Sequence, residues 1–177
     1  MAEPARVAVL GAESTGKSTL CQALAALYAA PWVPEYLREF VDTEGRVPRE
    51  EDQAGIARTQ RAREDALAAG ARSEGKPLLF CDTAPLMTAV YSRIYWNRVD
   101  PALLLLEAAH DYAFTFVAAP DLPWVPDGLQ RESEAVRQRV HACLLAVLAE
   151  RGIPYTLLTG DLVQRVRQVE ASLGRPV

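Results

Sequence analysis

The sequence predicts an α/β protein with a parallel sheet of about five strands and helices on both faces. Three observations predict it. Short apolar or aromatic runs suited to buried strands alternate with longer helical patterns along the chain. Their apolar character matches strands covered on both faces, and a glycine-rich turn joins the first strand to the first helix. At 177 residues the chain fits one domain, a size at which folding buries roughly 70% of the unfolded surface. No repeat, low-complexity tract or linker divides it, so residues 1–177 read as a single domain.

Residues 6–10 form the first strand, and residues 17–29 an Ala/Leu-rich helix with Leu20, Leu24 and Leu27 on one stripe. A break at Pro31 leads to a brief extended piece around Val33, favoured by Pro34 behind it, and then to a helix over residues 35–41. Residues 49–72 carry charges of both signs and few large apolar groups, which predicts a long helix lying on the surface. Residues 78–81 are the next strand, ended by Asp82, with helices over 85–95 and 101–110. Aromatic and β-branched residues make 112–118 a strand, and three prolines with a glycine make 120–128 a loop. Ser133 caps a helix that Gly152 stops; residues 154–158 are the fifth strand, and Asp161 caps a last helix to about Leu173.

Half of the residues are hydrophobic and 24% are charged, an ordinary globular composition. A net charge of −4 gives no general basic field for a nucleic-acid backbone, so no nucleic-acid partner is expected. Apolar runs such as residues 142–149 are far shorter than a bilayer requires, and the start shows no secretory pattern; a cytoplasmic protein without membrane contact is expected. Cys21, Cys81 and Cys143 lack metal-site spacing and read as small apolar thiols.

Residues 11–18, Gly-Ala-Glu-Ser-Thr-Gly-Lys-Ser, have the spacing of a phosphate-binding loop between strand and helix. The glycines let the loop curl so that backbone N–H groups point at phosphates; Lys17 reaches the β- and γ-phosphates, and the Ser18 hydroxyl supplies an oxygen to Mg²⁺. The helix that starts there directs its positive end at the anion. The fold is therefore read as a P-loop NTPase with a small helical lid. Gly11, Glu13, Ser14, Thr15, Gly16, Lys17, Ser18 and Thr19 are the expected ATP-binding set, with Mg²⁺ beside them.

Asp82 closes an apolar strand expected to end beside this loop, which puts a carboxylate near Mg²⁺; capping the following helix is its other reading, and Thr83 could cap instead. Glu35 and Arg38 share a helix face, either turned to the phosphates or as an exposed ion pair. The loop after the fourth strand carries Asp121 and Asp127 around Trp124, where an open α/β sheet holds its ligand. Arg131, Arg137 or Arg139 could close over a γ-phosphate and neutralise its charge; Arg131, the first of them, is carried forward as the candidate.

Four blocks in order, residues 11–20, 34–41, 81–83 and 121–129, resemble the ribosylnicotinamide kinase domain of NadR-type proteins. The resemblance implies a P-loop kinase that transfers the ATP γ-phosphate to the 5′-hydroxyl of a ribosylated base, most simply nicotinamide riboside in NAD salvage. It implies that Lys17 and Ser18 hold ATP and Mg²⁺, that Asp82 is linked to the metal with Ser18, and that Glu35 and Arg38 face the acceptor; Lys17, Glu35, Arg38 and Asp82, with the lid candidate Arg131, are the expected catalytic set. Glu35, Tyr36, Arg38, Asp82, Trp124 and Asp127 would then contact the acceptor. Pro34 and Ala62 stand where the resemblance leads one to expect aromatics, and Trp32, Tyr36, Trp96 and Trp124 are the candidates to replace them. Another nucleoside or a sugar is the alternative acceptor, and a nucleotide-binding regulatory ATPase is the alternative function. The expected partner is a nucleoside-like small molecule; assembly into a homo-oligomer stays open.

Overall fold

The structure, a computed structural model, describes residues 2–126 and 133–175. Five strands, β1 (Ala5–Leu10), β2 (Trp32–Val33), β3 (Leu78–Asp82), β4 (Phe114–Ala118) and β5 (Thr156–Leu158), form one parallel sheet in the order β2-β3-β1-β4-β5. The chain lays β3 on one side of β1 and β4 on the other. The carboxyl end of β1 is therefore the switch point at which an open α/β sheet forms its ligand crevice.

The two faces of the sheet are read directly from β1. Val7 and Val9 point to one side, where they cluster with Phe80, Phe116 and Leu158, with Leu20 and Leu24 of α1 (Lys17–Leu27), and with Val169 of α7 (Leu162–Leu173). Ala8 and Leu10 point to the other, toward Leu86 and Val90 of α4 (Pro85–Trp96) and Val140 and Leu144 of α6 (Glu134–Glu150). All four β1 side chains are fully buried, as two-sided coverage requires. Helix α5 (Pro101–Ala108) lies outside α4, with Leu103 clustered against Ala57 and Ala89. The fully buried Glu107 accepts from Arg93 of α4 at 2.5 Å and from Arg151, the C-cap of α6, at 2.8 Å, so one carboxylate pins three helices.

Helix α2 (Tyr36–Glu44) starts one residue after the expected position, with Glu35 as its N-cap. A 3-10 turn (Glu50–Asp52) leads into α3 (Gln53–Ser73). The expectation of a surface-lying helix there is corrected: Ile56, Ala57, Gln60, Glu64, Ala68 and Ala71 of α3 are buried. Its alanines let the backbone approach closely, Ala68 clustering with Val33, Leu79 and Cys81. Its three buried polar groups are hydrogen-bonded, Gln53 to the Arg49 carbonyl, Gln60 to Glu64, and Glu64 also to Tyr112, so a mean polarity typical of a solvated helix conceals a packed face. Among the described residues no helix is long and apolar enough to cross a membrane. The stretch between β4 and α6, where the lid is expected, includes residues 127–132, outside the described residues.

Candidate functional site

The phosphate loop leaves β1 at Gly11, whose φ of 153° belongs to glycine. A Cβ there would lie 2.9 Å from Thr15 Oγ1 and 3.0 Å from the Ala118 carbonyl. Ser14 (φ 54°) and Gly16 (φ 81°) also adopt left-handed conformations, which curl the segment before α1 begins at Lys17. Inside the curl, Thr15 Oγ1 donates to the Ala12 carbonyl at 2.7 Å and Lys17 Nζ to the same carbonyl at 2.8 Å.

Three neighbouring segments grip the loop from outside. Arg165 of α7, almost fully buried, donates to the Thr15 carbonyl, to Ala119 O at 2.9 Å and to Gly160 O at 2.9 Å, and pairs with Asp121 at 2.5 Å. Arg137 of α6, 3% exposed, donates to the Ser14 carbonyl at 3.0 Å and pairs with Glu134 at 2.5 Å. The Ser14 hydroxyl donates to Val125 O at 2.5 Å, tying the loop after β4 to the phosphate loop. The carbonyls are thus held from behind, and the loop stays curled.

At the end of β3, Asp82 is 1% exposed and its Oδ2 accepts from Ser18 Oγ at 2.5 Å. The register that sets Asp82 beside Val9 brings the two together. Asp82 Oδ1 is buried with no partner among the described residues. Neither Asp82 nor Thr83 caps α4: the N-cap is Ala84, with no side-chain bond. Thr83 takes φ 73°, rare for a β-branched residue. Such outliers persist where the surroundings enforce them, often at functional sites.

A cavity of about 480 Å³ opens beside Thr83. Glu35 and Leu37 line it from the start of α2, Gln53, Ile56 and Gln60 from α3, and Met87, Tyr91, Tyr95 and Trp96 from α4. The Tyr91 and Tyr95 rings stack with centroids 6.2 Å apart, and Trp96 meets Tyr95 edge-on at 5.8 Å. Among its described lining residues Glu35 alone is charged, and none is basic.

The structure therefore brings Lys17, Ser18, Asp82 and Glu35 around one corner of the sheet. Tyr36 and Arg38 are not among the cavity's lining residues. The Tyr36 ring lies under Arg63 at 4.6 Å and edge-on to Phe40, while Arg38 and Thr19 are exposed. Glu13 is buried within the loop. Trp124 is half-buried, and its Nε1 finds no acceptor among the described residues. Asp127 and Arg131 lie outside the described residues.

A sequence profile described as an AAA domain matches residues 6–165, nearly the whole chain. The chain belongs to the AAA-domain family. This AAA domain is 27% identical over 157 residues to the trifunctional NAD biosynthesis/regulator protein NadR of Escherichia coli (strain K12), covering 84% of the chain. The same protein of Salmonella typhimurium (strain LT2) is also 27% identical. The chain spans 37% of the length of each of these relatives. Among solved structures, NadR protein in complex with NAD and AMP-PNP superposes with a TM-score of 0.78 at 25% identity, over 98% of this chain and 51% of that one. Deoxyadenosine kinase from M. mycoides shares the fold alone, with a TM-score of 0.61 at 9% identity over 95% of this chain and 98% of that one. The P-loop fold read from residues 11–18 is thus the fold of this AAA domain's structural neighbours.

Sequence reasoning passed over several residues that shape the AAA domain's site. Arg165 gave no signal, because an arginine in a helix pattern reads as exposed. Arg137 was one of three candidates until burial separated it from the exposed Arg139. Tyr91 and Tyr95 had a usable signal, an aromatic i, i+4 spacing on a predicted helix that ends beside Trp96, itself one of the expected candidates. Gln60 had none.

Proposed function

We propose that this chain is a small-molecule kinase that transfers the γ-phosphate of ATP to a nucleoside hydroxyl, with nicotinamide riboside in NAD salvage as the leading acceptor. The observation that carries the reading is the cavity of about 480 Å³, which contains Glu35 and ends on Thr83, the neighbour of the Ser18–Asp82 corner. A phosphate loop alone is common to many functions; an acceptor-sized cavity with a carboxylate next to it supports transfer to a small molecule.

The donor set fits Mg²⁺: a hydroxyl and a carboxylate meet at 2.5 Å, and the remaining buried Asp82 oxygen has no protein partner among the described residues. Hard oxygen donors of this kind suit Mg²⁺ shared with phosphates. When bound, the ion would neutralise charge on the β- and γ-phosphate oxygens.

Backbone N–H groups of the loop and the N-terminus of α1 hold the phosphates. Lys17 stabilises the charge on the transferring group, Arg137 holds the loop through the Ser14 carbonyl, and Glu35 accepts the proton of the acceptor hydroxyl. Arg38, Tyr36, Trp124 and Asp127 stay proposed contacts of the acceptor, and Arg131 a proposed catalytic residue. The Tyr91–Tyr95–Trp96 group offers aromatic faces to a base, and a cationic pyridinium gains further from them. A cavity with one carboxylate and no basic lining residue favours a neutral or cationic acceptor over a phosphorylated one.

The test is ADP release from ATP across a panel of nucleosides and sugars, with Lys17→Ala as control. Acceptor-dependent ADP release is expected, largest with nicotinamide riboside. A larger response to another nucleoside would correct the acceptor, and acceptor-independent release would point to a regulatory ATPase.

A further inference from the structure

We propose that Gln60 is a positioning residue, a clamp that fixes the Glu35 carboxylate relative to the Ser18–Asp82 corner and is itself oriented by Glu64. The inference rests on the kinase reading above. Gln60 is 2% exposed, lies in the wall of the acceptor cavity, and touches both halves of the site. Its Oε1 accepts the Tyr36 backbone N–H at 2.9 Å. Its Nε2 faces the Asp82 carbonyl at 3.5 Å and Glu64 Oε1 at 3.4 Å.

The contact with Tyr36 matters because of where that N–H sits. It belongs to the first residue of α2, one of the N–H groups a helix cannot satisfy internally. Glu35, the N-cap, makes no side-chain capping bond. The bond comes instead from Gln60 on a different helix, so the peptide that carries Glu35 is anchored to α3 and, through the weaker Nε2 contact, toward Asp82. Cap and metal corner share one amide.

Only one orientation of that amide works. Glu64 and the Asp82 carbonyl are acceptors and require the NH₂ group, which leaves the oxygen for Tyr36; a flip would set NH₂ against N–H. Glu64, fully buried, is held in turn by the Tyr112 hydroxyl, which donates to its Oε2 at 2.6 Å. Arg6 of β1 faces it at 3.8 Å, Cys81 faces it from β3, and Arg61, paired with Asp111 and Asp65, from its own helix. Protonation of Glu64 weakens the acceptor that Nε2 faces and so loosens the amide, while the Tyr36 N–H and the Asp82 carbonyl still oppose a flip. Burial pushes the Glu64 carboxyl up to about 7, so the change of state falls in an accessible pH range.

The experiment measures kcat, both KM values and the pH profile for Gln60→Leu and Glu64→Gln, with the best acceptor. Gln60→Leu should lower kcat at least tenfold with the ATP KM within about threefold. In that background Glu35→Gln should cost much less than in the unmodified chain, because the carboxylate it removes is already misplaced. Glu64→Gln should flatten the rise of kcat between pH 6 and 8. A Gln60→Leu kcat within twofold of the unmodified chain, or full additivity with Glu35→Gln, overturns the inference. If Gln60→Leu loses ATP affinity along with turnover, the Glu64→Gln pH profile decides: a flattened rise supports the clamp and an unchanged one overturns it. Absence of acceptor turnover in the unmodified chain overturns the kinase reading itself, whereas turnover that survives Gln60→Leu overturns only the clamp.

Discussion

In the proposed kinase Lys17 and Glu35 carry the chemistry at the level of single side chains, and Arg165 holds the loop on which one of them sits. Lys17→Ala removes a donor aimed at developing phosphate charge and should lower turnover by about 10²-fold or more, with the thermal midpoint nearly unchanged by calorimetry. Glu35→Gln should reduce phosphoryl transfer by roughly 10²–10⁴ in steady-state assays. Arg165→Met leaves three carbonyls and Asp121 Oδ1 without the arginine donor, Asp121 Oδ2 keeping the Gly160 N–H. It should lose about 3 kcal/mol in urea unfolding, a loss that Lys17→Ala does not share. The contrast between these residues also shows what a sequence reveals. Lys17 and Ser18 were legible because phosphate binding demands that spacing, and Asp82 because it ends an apolar strand. Arg165 and Gln60 were not, since their roles come from partners 150 and 24 residues away in the chain, which no local pattern encodes.

Among elements, the phosphate loop and α3 make opposite demands on their residues. Gly11→Ala forces a Cβ to 2.9–3.3 Å of Thr15 and Ala118 at a positive φ. It should weaken ATP binding at least tenfold by titration calorimetry, since the loop must open to accept it. The strands and most helices were readable because apolar runs and caps state themselves locally: Ser133 and Asp161 accept from Val136 N and Gln164 N as capping residues should. Helix α3 was misread because it packs with alanines and satisfied polar groups instead of large apolar ones. That packing has a pH signature. Burial raises the Glu64 carboxyl from 4.5 to about 7, so between those values the folded chain binds the extra proton. Stability should therefore fall as pH rises, by about 2 kcal/mol from pH 5 to pH 8, and level off above. Urea unfolding at the two pH values measures this, and Glu64→Gln should remove most of the difference.

For the whole molecule, the sheet order puts the carboxyl ends of β1 and β3 side by side and so assembles the phosphate loop and the proposed acceptor region from distant segments. The fold class was legible from strand and helix alternation alone, whereas the cavity was not. Its walls come from α2, α3 and α4, whose relative placement depends on packing. The aromatics that line it, Tyr91, Tyr95 and Trp96, stand on α4 rather than at the positions the family resemblance pointed to. The central claim is that these walls hold a nucleoside whose hydroxyl takes the γ-phosphate. The most direct measurement follows ADP and phosphorylated nucleoside together, by mass spectrometry, in one reaction with Mg-ATP and nicotinamide riboside. The account predicts one nucleoside monophosphate for each ADP, both abolished by Lys17→Ala. ADP formed without any phosphorylated nucleoside, with this or any other acceptor, would contradict it.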